Sequence, residues 1–216
     1  MKIGILTDNK NSWIIPYVDD LKARLKGHDI YHVFDSRDVQ PGEVLFILSC
    51  EKILKSDVLE KNKRNIVVHP SKLPKGRGWS PVAWQVLEGS NKIPVSLFEA
   101  QESVDAGHVY ILDYIELNGT ELNDEIKHLQ GIKTVEMCLR FINEYESIEG
   151  SPQEGEPTFY KKRTAQSSCM DIKKSIEEQF DLLRVVDNER YPAHFFIRGK
   201  KYIIKIERAY YDDKIK

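Results

Sequence analysis

The chain has 216 residues, with 32 Lys and Arg against 34 Asp and Glu and a formal net charge of -2. A chain so close to neutral lacks the positive field of a dedicated nucleic-acid-binding protein, so we expect no nucleic-acid partner. The hydrophobic fraction of 41% supports a packed core and excludes an intrinsically disordered chain. This length predicts one large domain, or one domain with a small appendage.

Membrane, secretion and metal signals are weak in this sequence. The longest apolar runs, such as residues 44–48, hold about five residues, far short of the roughly 18 that span a bilayer, so we expect no membrane-spanning segment. Asp8 interrupts the first apolar run before a signal-peptide core of about 7–15 residues forms, which predicts a cytoplasmic protein. Cys50, Cys138 and Cys169 are odd in number and far apart, so we expect neither a disulfide framework nor a metal cofactor.

Buried, β-rich runs alternate with helical patterns through the first third of the chain. The predicted strands are residues 2–7, 29–34, 43–48 and 65–68. Apolar residues at helical spacing predict helices at residues 13–26 and 56–61, with Asn11 or Ser12 as the cap of the first one. Strands that alternate with helices are typical of an α/β protein. We therefore predict a Rossmann-like, mostly parallel sheet with helices on both faces.

The middle of the chain continues this alternation. Residues 81–87 predict a further helix, and residues 94–98 and 109–117 predict two more strands. A long amphipathic helix is predicted over residues 122–142, because apolar residues recur there every three or four positions. Gly131 lies inside that pattern and costs the helix about 1 kcal/mol.

Residues 149–157 are rich in Gly, Pro and Glu and give the strongest linker signal in the chain. We therefore predict a catalytic domain at residues 1–150 and a small C-terminal α+β hairpin appendage at residues 151–216. The appendage has 14 Lys and Arg against 11 Asp and Glu, a net charge of +3, so it is mildly basic.

Two elements are predicted within this appendage. Apolar residues at helical spacing predict one helix over residues 172–183. Residues 194–197 and 202–206 predict a β-hairpin around a four-residue connection. A lone hairpin is marginal in water, so we expect it to dock on the main domain or on a second subunit.

The residues that can carry chemistry follow the fourth predicted strand. His69 ends that strand and opens a loop rich in Pro and Gly over residues 70–81, at the strand end where open α/β sheets bind ligands. Asp105 follows 36 residues after His69, in an acidic loop that ends in Gly107. The sequence has neither a GxGxxG motif after the first strand nor a GxxxxGK phosphate loop. This argues against a dinucleotide-binding protein and a nucleoside triphosphatase.

One series of motifs runs through this region: His69, Ser71, Leu73-Pro74, Arg77-Gly78 and Asp105-x-Gly107. The series resembles the signature of the folate-dependent formyltransferase family, and the resemblance covers roughly residues 40–140. It implies 10-formyltetrahydrofolate as the co-substrate and no metal. It also implies that His69 and Asp105 are the catalytic residues.

Three further segments narrow the resemblance: residues 76–81, 158–164 and 191–196. They look like the branch that formylates amino groups of nucleotide-linked deoxysugars. That branch implies a nucleotide-linked amino sugar as the partner, most often a dTDP-sugar and sometimes a GDP-sugar. The product would be destined for O-antigen or a similar surface polysaccharide. The exposed hairpin further predicts a homodimer or a wall of the substrate site.

The chemistry of formyl transfer gives these residues roles. An amine that attacks the formyl carbon yields a tetrahedral intermediate with an oxyanion and a surplus proton. His69 can stabilise the oxyanion or move the proton, and Asp105 can hold the imidazole. We expect folate to lie along the carboxyl edge of the sheet, against Leu48, Ser49, Cys50, Glu51, Gln101, Glu102, Ser103 and Val104. The expected substrate contacts are Asn9, Asn11, Ser12, Ser71, Lys75, Arg77, Gly78 and Trp79.

Simpler interpretations of some of these residues stay open. Asn9, Asn11 and Ser12 are first of all candidates for helix caps. Lys75 and Arg77 are equally consistent with solvated loop charges and with contacts to a pyrophosphate.

One position departs from the family pattern. Val67 stands where the family has an Asn two residues before the His, whose amide helps bind the formyl oxygen. Asn65 lies on the same strand face, but about 13 Å from His69 at 3.3 Å per residue. Either another donor replaces the amide, or the activity is weaker than the family norm.

Three other functions remain as alternatives. Glycinamide ribonucleotide formyltransferase has a similar size and the same His and Asp, but the tail from Thr158 onward argues against it. Methionyl-tRNA formyltransferase carries a longer, basic C-terminal domain than the 66 residues after position 150. A non-catalytic relative that only binds folate is supported directly by Val67.

Overall fold

Ten strands and five α-helices are present in the computed structural model, which describes residues 1–209. The strands are β1 (Lys2–Leu6), β2 (Asp29–Val33), β3 (Gly42–Ile47), β4 (Asn62–His69), β5 (Arg77–Gly78), β6 (Lys92–Glu99), β7 (Val109–Glu116), β8 (Phe159–Tyr160), β9 (Ala193–Ile197) and β10 (Lys200–Ile204). The α-helices are α1 (Ile15–Arg24), α2 (Ser56–Leu59), α3 (Pro81–Leu87), α4 (Asn123–Asn143) and α5 (Phe180–Arg184). Short 3₁₀ turns occur at Ser36–Asp38, Ala165–Ser168 and Glu177–Gln179.

Six of the strands form one sheet in the order β2-β1-β3-β4-β6-β7. Strands β2, β1, β3 and β4 are parallel, β6 is antiparallel to β4, and β7 is antiparallel to β6. The inner strands β1 and β3 are buried on both faces, which is why the sequence shows them as continuous apolar runs. The prediction of a mostly parallel α/β sheet is therefore confirmed.

Alternate residues of β3 point to opposite faces of the sheet and define two layers of core. Val44 and Phe46 belong to a large apolar cluster with residues of α1, α3 and α4, and the rings of Phe46 and Phe141 are 6.2 Å apart. Leu45 and Ile47 belong to a smaller cluster on the other face, which includes a residue of α2. Helices thus lie on both faces, as predicted, although α2 has only four residues.

Gly131 marks the place where α4 crosses α1. A Cβ at this position would lie 2.5 Å from ring atoms of Tyr17 in α1. The helix therefore keeps a glycine in its interior, in spite of the weak propensity of glycine, because the close approach leaves no room for a larger residue. The long predicted helix is confirmed over Asn123–Asn143.

Helical structure in the tail is shorter than predicted. A 3₁₀ turn at Glu177–Gln179 leads into α5, and the residues before it are not helical. Ile172 and Ile176, which contributed to the helical pattern, are 58% and 59% exposed. The Gln179 side chain donates to three backbone carbonyls within residues 171–175. These side-chain hydrogen bonds stabilise a non-helical path, so the predicted helix is wrong over its first half.

The predicted hairpin is confirmed as β9 and β10, joined by Arg198-Gly199. These two residues have φ values of 50° and 73°, the left-handed conformation that a two-residue type I′ turn requires. The turn is shorter than expected because Lys200 and Lys201 join the second strand.

Arg184 of α5 anchors the tail on the sheet. The residue is 1% exposed, and its guanidinium donates to the Asn91 side chain at 3.0 Å and to the Glu121 carbonyl oxygen at 3.2 Å. The tail also has a small apolar cluster of its own around Met170 and Leu183, and hairpin residues pack against it. The tail therefore docks through a buried cation and keeps a separate core. The predicted division at residue 150 stays a prediction.

Candidate active site

His69 is the last residue of β4 and is buried at the carboxyl edge of the sheet, with 7% of its surface exposed. Its Nε2 is 2.8 Å from the carbonyl oxygen of Gly76. Because a carbonyl oxygen only accepts, this contact assigns a proton to Nε2. The other ring nitrogen, Nδ1, faces the Asp105 carboxylate at 3.9 Å. The two predicted catalytic residues are thus brought together, at a distance longer than a direct hydrogen bond.

Asp105 reaches His69 from the loop between β6 and β7. Its φ of 51° turns the chain back, and its carboxylate accepts the amide proton of Gly78 at 2.9 Å. A Cβ at Gly107 would collide with the carbonyl oxygen of Glu99. The Asp-x-Gly pattern therefore combines a carboxylate with the one residue type that the tight loop accepts.

Two hydroxyl groups hold the loop that follows His69. Ser96 of β6 donates its hydroxyl proton to the Ser71 carbonyl at 2.7 Å, and the Thr158 hydroxyl accepts the amide proton of Gly76 at 2.8 Å. Ser71 is 2% exposed, and its own hydroxyl has no hydrogen-bond partner among the residues that the structure describes. The loop that presents Gly76 to His69 is thus fixed both by the sheet and by the segment that leads into β8.

The segment predicted as a linker packs along this site. It pairs with the start of β7, and β8 then pairs in parallel with β5. The Arg77 amide donates to the Thr158 carbonyl at 2.9 Å, and the Trp79 amide donates to the Tyr160 carbonyl at 3.1 Å. The Pro- and Gly-rich composition predicted the irregular backbone, but it gave no sign that this backbone docks.

Gln153 lies in the same segment and joins two parts of the site. Its Oε1 accepts a proton from Arg77 Nη2 at 2.6 Å. Its Nε2 donates to the carbonyl oxygens of Asp105 and Gly107, both at 2.8 Å. Sequence reasoning missed this residue, because a glutamine after a proline in an irregular stretch is too common to identify a site.

Comparison with known proteins identifies the family that has this arrangement. A family model described as formyl transferase matches residues 22–135, more than half of the chain. This chain belongs to the formyl transferase family. The family uses formyl-tetrahydrofolate.

Curated relatives of this formyl transferase include methionyl-tRNA formyltransferase of Francisella philomiragia. The two sequences are 24% identical over 162 residues, which are 74% of this chain and 51% of the relative. The chain spans about half the length of the curated relatives that it matches. The family model establishes the family, and the acceptor of the formyl group is a separate question.

Solved structures with the same fold include proteins of different names. Methionyl-tRNA formyltransferase from Clostridium thermocellum has a TM-score of 0.80 at 21% identity, with 95% of this chain and 92% of that chain covered. A 4-N formyltransferase from Francisella tularensis has a TM-score of 0.76 at 17% identity, with 95% of this chain and 97% of that chain covered. HypX from Aquifex aeolicus in complex with tetrahydrofolic acid has a TM-score of 0.75 at 19% identity and covers 95% and 37%. The predicted Rossmann-like fold is confirmed.

The first predicted folate-binding segment of the formyl transferase lies at the carboxyl end of β3. Leu48 is 2% exposed and its side chain belongs to the main core. Ser49 is exposed with a φ of 54°, and the Glu51 amide donates to the Asp8 carboxylate at 2.7 Å. Burial raises the pKa of the Cys50 thiol to about 12, so this thiol stays protonated. Backbone groups of this segment, rather than the Leu48 side chain, are available to a ligand.

The second predicted folate-binding segment, residues 101–104, is exposed and lies next to the first. The Glu102 carboxylate accepts the amide proton of Ser56 at 3.2 Å, at the start of α2. A cavity of about 200 Å³ lies at the carboxyl ends of β1 and β2, and Asp8 and Cys50 are among its lining residues. Glu102 thus bonds to a residue five positions after the first segment, and the contacts of both segments with folate stay a prediction.

The predicted substrate residues after β1 form a group of their own. The Asn9 side chain accepts the amide proton of Asn11 at 2.9 Å, and the Ser12 hydroxyl donates to Ser49 at 3.3 Å. Helix α1 begins later, at Ile15, and no side chain caps its first turn. The expectation that Asn11 or Ser12 caps the helix is wrong, because these residues form a separate turn before it.

The remaining predicted substrate residues line the loop after His69. Lys75 is exposed and Arg77 is half-buried. Trp79 is 37% exposed, and Lys162 Nζ lies 4.2 Å from the centroid of its indole ring. Lys162 also pairs with Glu51 at 2.9 Å. One exposed lysine therefore spans from the loop after β3 to the loop that carries Trp79.

The structure also shows how Val67, the residue that departs from the family pattern, packs. Val67 packs against the apolar cluster on the second face of the sheet. The Asn65 amide donates to the Leu59 carbonyl at 2.9 Å, next to α2. Asn65 therefore does not supply the missing amide to His69, as the strand spacing predicts.

No helix among residues 1–209 is both long and apolar enough to cross a bilayer. Over the same residues, no group of three or more His, Cys, Asp or Glu side chains is arranged to hold a metal ion.

Proposed function

We propose that this formyl transferase moves the formyl group of 10-formyltetrahydrofolate to the amine of a nucleotide-linked amino-dideoxysugar. The observation that carries the proposal is the pair of the buried His69 and the half-buried Asp105, which the end of β4 and the loop after β6 bring together. A buried imidazole beside a carboxylate can stabilise an oxyanion and move a proton, and formyl transfer to an amine needs both steps.

The proposed reaction uses each nitrogen of His69 differently. When the amine attacks, a bond forms between its nitrogen and the formyl carbon, and the formyl oxygen gains negative charge. The Nε2–H group, whose nitrogen lies 2.8 Å from the Gly76 carbonyl oxygen, then donates a hydrogen bond to the formyl oxygen instead. As the bond between the formyl carbon and the folate nitrogen breaks, Nε2 would give its proton to the folate nitrogen and take up the surplus proton of the amine, so that His69 ends in the state in which it began. Asp105 faces Nδ1 and keeps the ring in orientation.

Folate would lie against residues 48–51 and 101–104, and it supplies the formyl group. The exposed positions fit such a ligand, since Ser49, Glu51 and residues 101–104 are open to solvent and Glu102 bonds to Ser56, five residues after the first segment. Backbone groups there can pair with the polar edge of a pteridine.

A sugar nucleotide is favoured by the mouth of the site. Trp79 offers an exposed indole face, and Lys162 holds a cation 4.2 Å above it. A flat ring and a cation suit a base or sugar that carries a diphosphate. A sugar N-formyltransferase from a Shewanella species has the same fold, which is compatible with this acceptor class. The proposed nucleotide is dTDP, and the product would enter a surface polysaccharide.

The proposal includes a homodimer in the cytoplasm. Phe196 and Ile203 are 49% and 60% exposed on β9 and β10. Two such hairpins can cover one another, because a two-fold interface brings the same patch of each subunit together.

Methionyl-tRNA is the second candidate acceptor, because curated relatives of this chain bear that name. Its large polyanionic substrate needs a basic surface, whereas the whole chain carries a net charge of -2. The sugar nucleotide is therefore the first proposal.

One panel of acceptors tests the proposal. The full chain is incubated with 10-formyltetrahydrofolate and, in separate reactions, with dTDP- and GDP-linked sugars that carry an amine at carbon 3 or carbon 4, with glycinamide ribonucleotide and with methionyl-tRNA. Mass spectrometry of the acceptor detects the N-formyl product. We expect product with a sugar nucleotide. Product with methionyl-tRNA or glycinamide ribonucleotide alone contradicts the acceptor class, and folate binding without any product supports the non-catalytic relative.

A further inference from the structure

We propose that Gln153 is a positioning residue, which holds the Asp105 carboxylate in place beside His69 and Gly78. The inference rests on the formyl transfer proposed above, because it assigns Gln153 a part in that reaction. It concerns a segment that the sequence identifies only as a linker.

The hydrogen bonds of Gln153 clamp both sides of one peptide turn. Its Nε2 donates to the carbonyl oxygens of Asp105 and Gly107, each at 2.8 Å. These two carbonyls flank Ala106, at the point where Asp105 has a positive φ of 51°. A non-glycine residue rarely adopts this conformation, so the turn needs support from outside the loop. With the turn fixed, the carboxylate is directed toward the Gly78 amide and His69.

Arg77 fixes the direction of the Gln153 amide. A guanidinium only donates, and Arg77 Nη2 lies 2.6 Å from the amide oxygen, so the amide nitrogen must face the Asp105 loop. Arg77 is itself held by its backbone amide, which donates to the Thr158 carbonyl at 2.9 Å. The clamp thus connects the loop after His69 to the Asp105 loop through one side chain.

Amide exchange can test the position of the Asp105 carboxylate without any substrate. The Gly78 amide proton is bound by that carboxylate, whereas its neighbours Arg77 and Trp79 donate to backbone carbonyls of β8 and the residue before it. In Gln153→Ala, we expect the Gly78 amide to exchange at least about tenfold faster by NMR, with Arg77 and Trp79 within about twofold of the parent. The exposed neighbour Glu154, changed in Glu154→Ala, is the matched control.

Gln153→Glu separates the two ends of the clamp. A glutamate keeps an acceptor for Arg77 but cannot donate to the Asp105 and Gly107 carbonyls. If the donation positions Asp105, Gln153→Glu should speed Gly78 exchange as much as Gln153→Ala does. A residue that merely holds Arg77 would instead be rescued by glutamate.

The kinetic consequence should appear in kcat. With the best acceptor from the panel above, we expect Gln153→Ala to lower kcat by about 10- to 100-fold, because a displacement of about 1 Å at a catalytic group can cost that much. The KM values for folate and acceptor should stay within about threefold. In an Asp105→Ala background, Gln153→Ala should have less than about a threefold further effect, since the two residues act as a unit.

The proposal is overturned if Gly78 exchange is unchanged, if the Arg77 and Trp79 amides accelerate together with Gly78, or if Gln153→Glu behaves as the parent does. Unfolding of both Gln153 variants would also overturn it, since the residue would then support the whole fold. Failure of the parent protein to formylate any amino sugar overturns the proposed function instead, and the exchange result stands apart from it.

Discussion

At the level of single residues, the approach of Asp105 to His69 depends on two unusual backbone positions in one loop. Asp105 has a φ of 51°, and Gly107 lies so close to the Glu99 carbonyl that no side chain fits there. The loop therefore adopts a strained backbone conformation that directs the Asp105 carboxylate toward His69. Strain of this kind is concentrated at functional sites, which agrees with a catalytic role for the pair.

The first prediction concerns the chemical step. We expect His69→Ala or Asp105→Ala to lower turnover by about 10²- to 10⁴-fold, and the double variant to be little worse than the worse single variant. Coupled residues lose their effect together, because each needs the other in place. Turnover is measured with folate and acceptor both saturating.

His108→Ala is the matched control for these variants. His108 is an exposed histidine at the end of the same loop, three residues after Asp105. Its turnover should stay within about threefold of the parent. The same small effect in His69→Ala or Asp105→Ala would show that the family resemblance reports fold alone.

The second prediction concerns the acid that begins the Asp105 loop. The Glu99 carboxylate accepts protons from the Asn65 amide and from the Tyr110 hydroxyl, the latter at 3.0 Å. Burial raises the pKa of Glu99 above its ordinary value of 4.5. A carboxyl with a raised pKa in the folded state stabilises the fold fully below the unfolded value, and this stabilisation is lost as pH rises through the folded value.

Urea denaturation between about pH 4 and pH 7 measures this effect. The unfolding free energy of the parent, relative to Glu99→Gln, should be most favourable near pH 4 and should decline toward pH 7. Glu154→Gln, at an exposed position, is the control for the removal of one negative charge. A difference that grows with pH would contradict the assigned direction.

The sequence could indicate which side chains lie close together where a motif fixed both the residue types and their spacing, while the catalytic roles stay a prediction. His69 and Asp105 lie together in the structure as the spacing of the motifs implies. The role of Gln153 could not be predicted from the sequence, because its partners near Asp105 are backbone carbonyls, which any residue type provides. Val67 illustrates the opposite case, since the sequence alone marks it as a departure.

At the level of helices and strands, apolar periodicity predicted most of the sheet layer. Strand β4 is longer than its apolar run, because the polar residues Asn62 and Arg64 at its start also pair with β3. The first half of the predicted tail helix failed because Gln179 offers hydrogen bonds that compete with the helical ones. Periodicity identifies a possible apolar face, but it does not show whether a surface exists to cover that face.

The third prediction tests the crossing of α1 and α4. Gly131→Ala should gain about 1 kcal/mol of helix propensity, yet the new methyl group meets the Tyr17 ring 2.5 Å away. We expect a net loss of about 1–3 kcal/mol in unfolding free energy, because overpacking of a rigid contact outweighs propensity. Ile132→Ala, at the exposed next position of the same helix, should change stability less. A more stable Gly131→Ala variant would show that the crossing relaxes easily.

At the level of the whole molecule, the fourth prediction concerns self-association through the hairpin. Phe196 and Ile203 are exposed on β9 and β10, so we expect the parent protein to sediment as a dimer at micromolar concentration. Phe196→Lys combined with Ile203→Glu should shift it to a monomer by analytical ultracentrifugation.

Ile172→Glu is the matched control, because Ile172 is a comparably exposed apolar residue elsewhere in the tail. This variant should sediment as the parent does. A monomeric parent, or equal disruption by Ile172→Glu, would remove the hairpin from the interface.

The docking of the segment before β8 has a consequence for the order of events during synthesis. The hydrogen bonds from Gly76 to Thr158 and from Arg77 to Gln153 join residues 82 and 76 positions apart. A chain emerges from the ribosome from its amino end, so the sheet can pair before these partners exist. The hydrogen bonds that surround His69 and Asp105 are therefore completed late in synthesis. A nascent chain that has finished its main helix α4 still lacks these partners, and the hydrogen bonds around His69 and Asp105 can close only once residues 153–158 have been made.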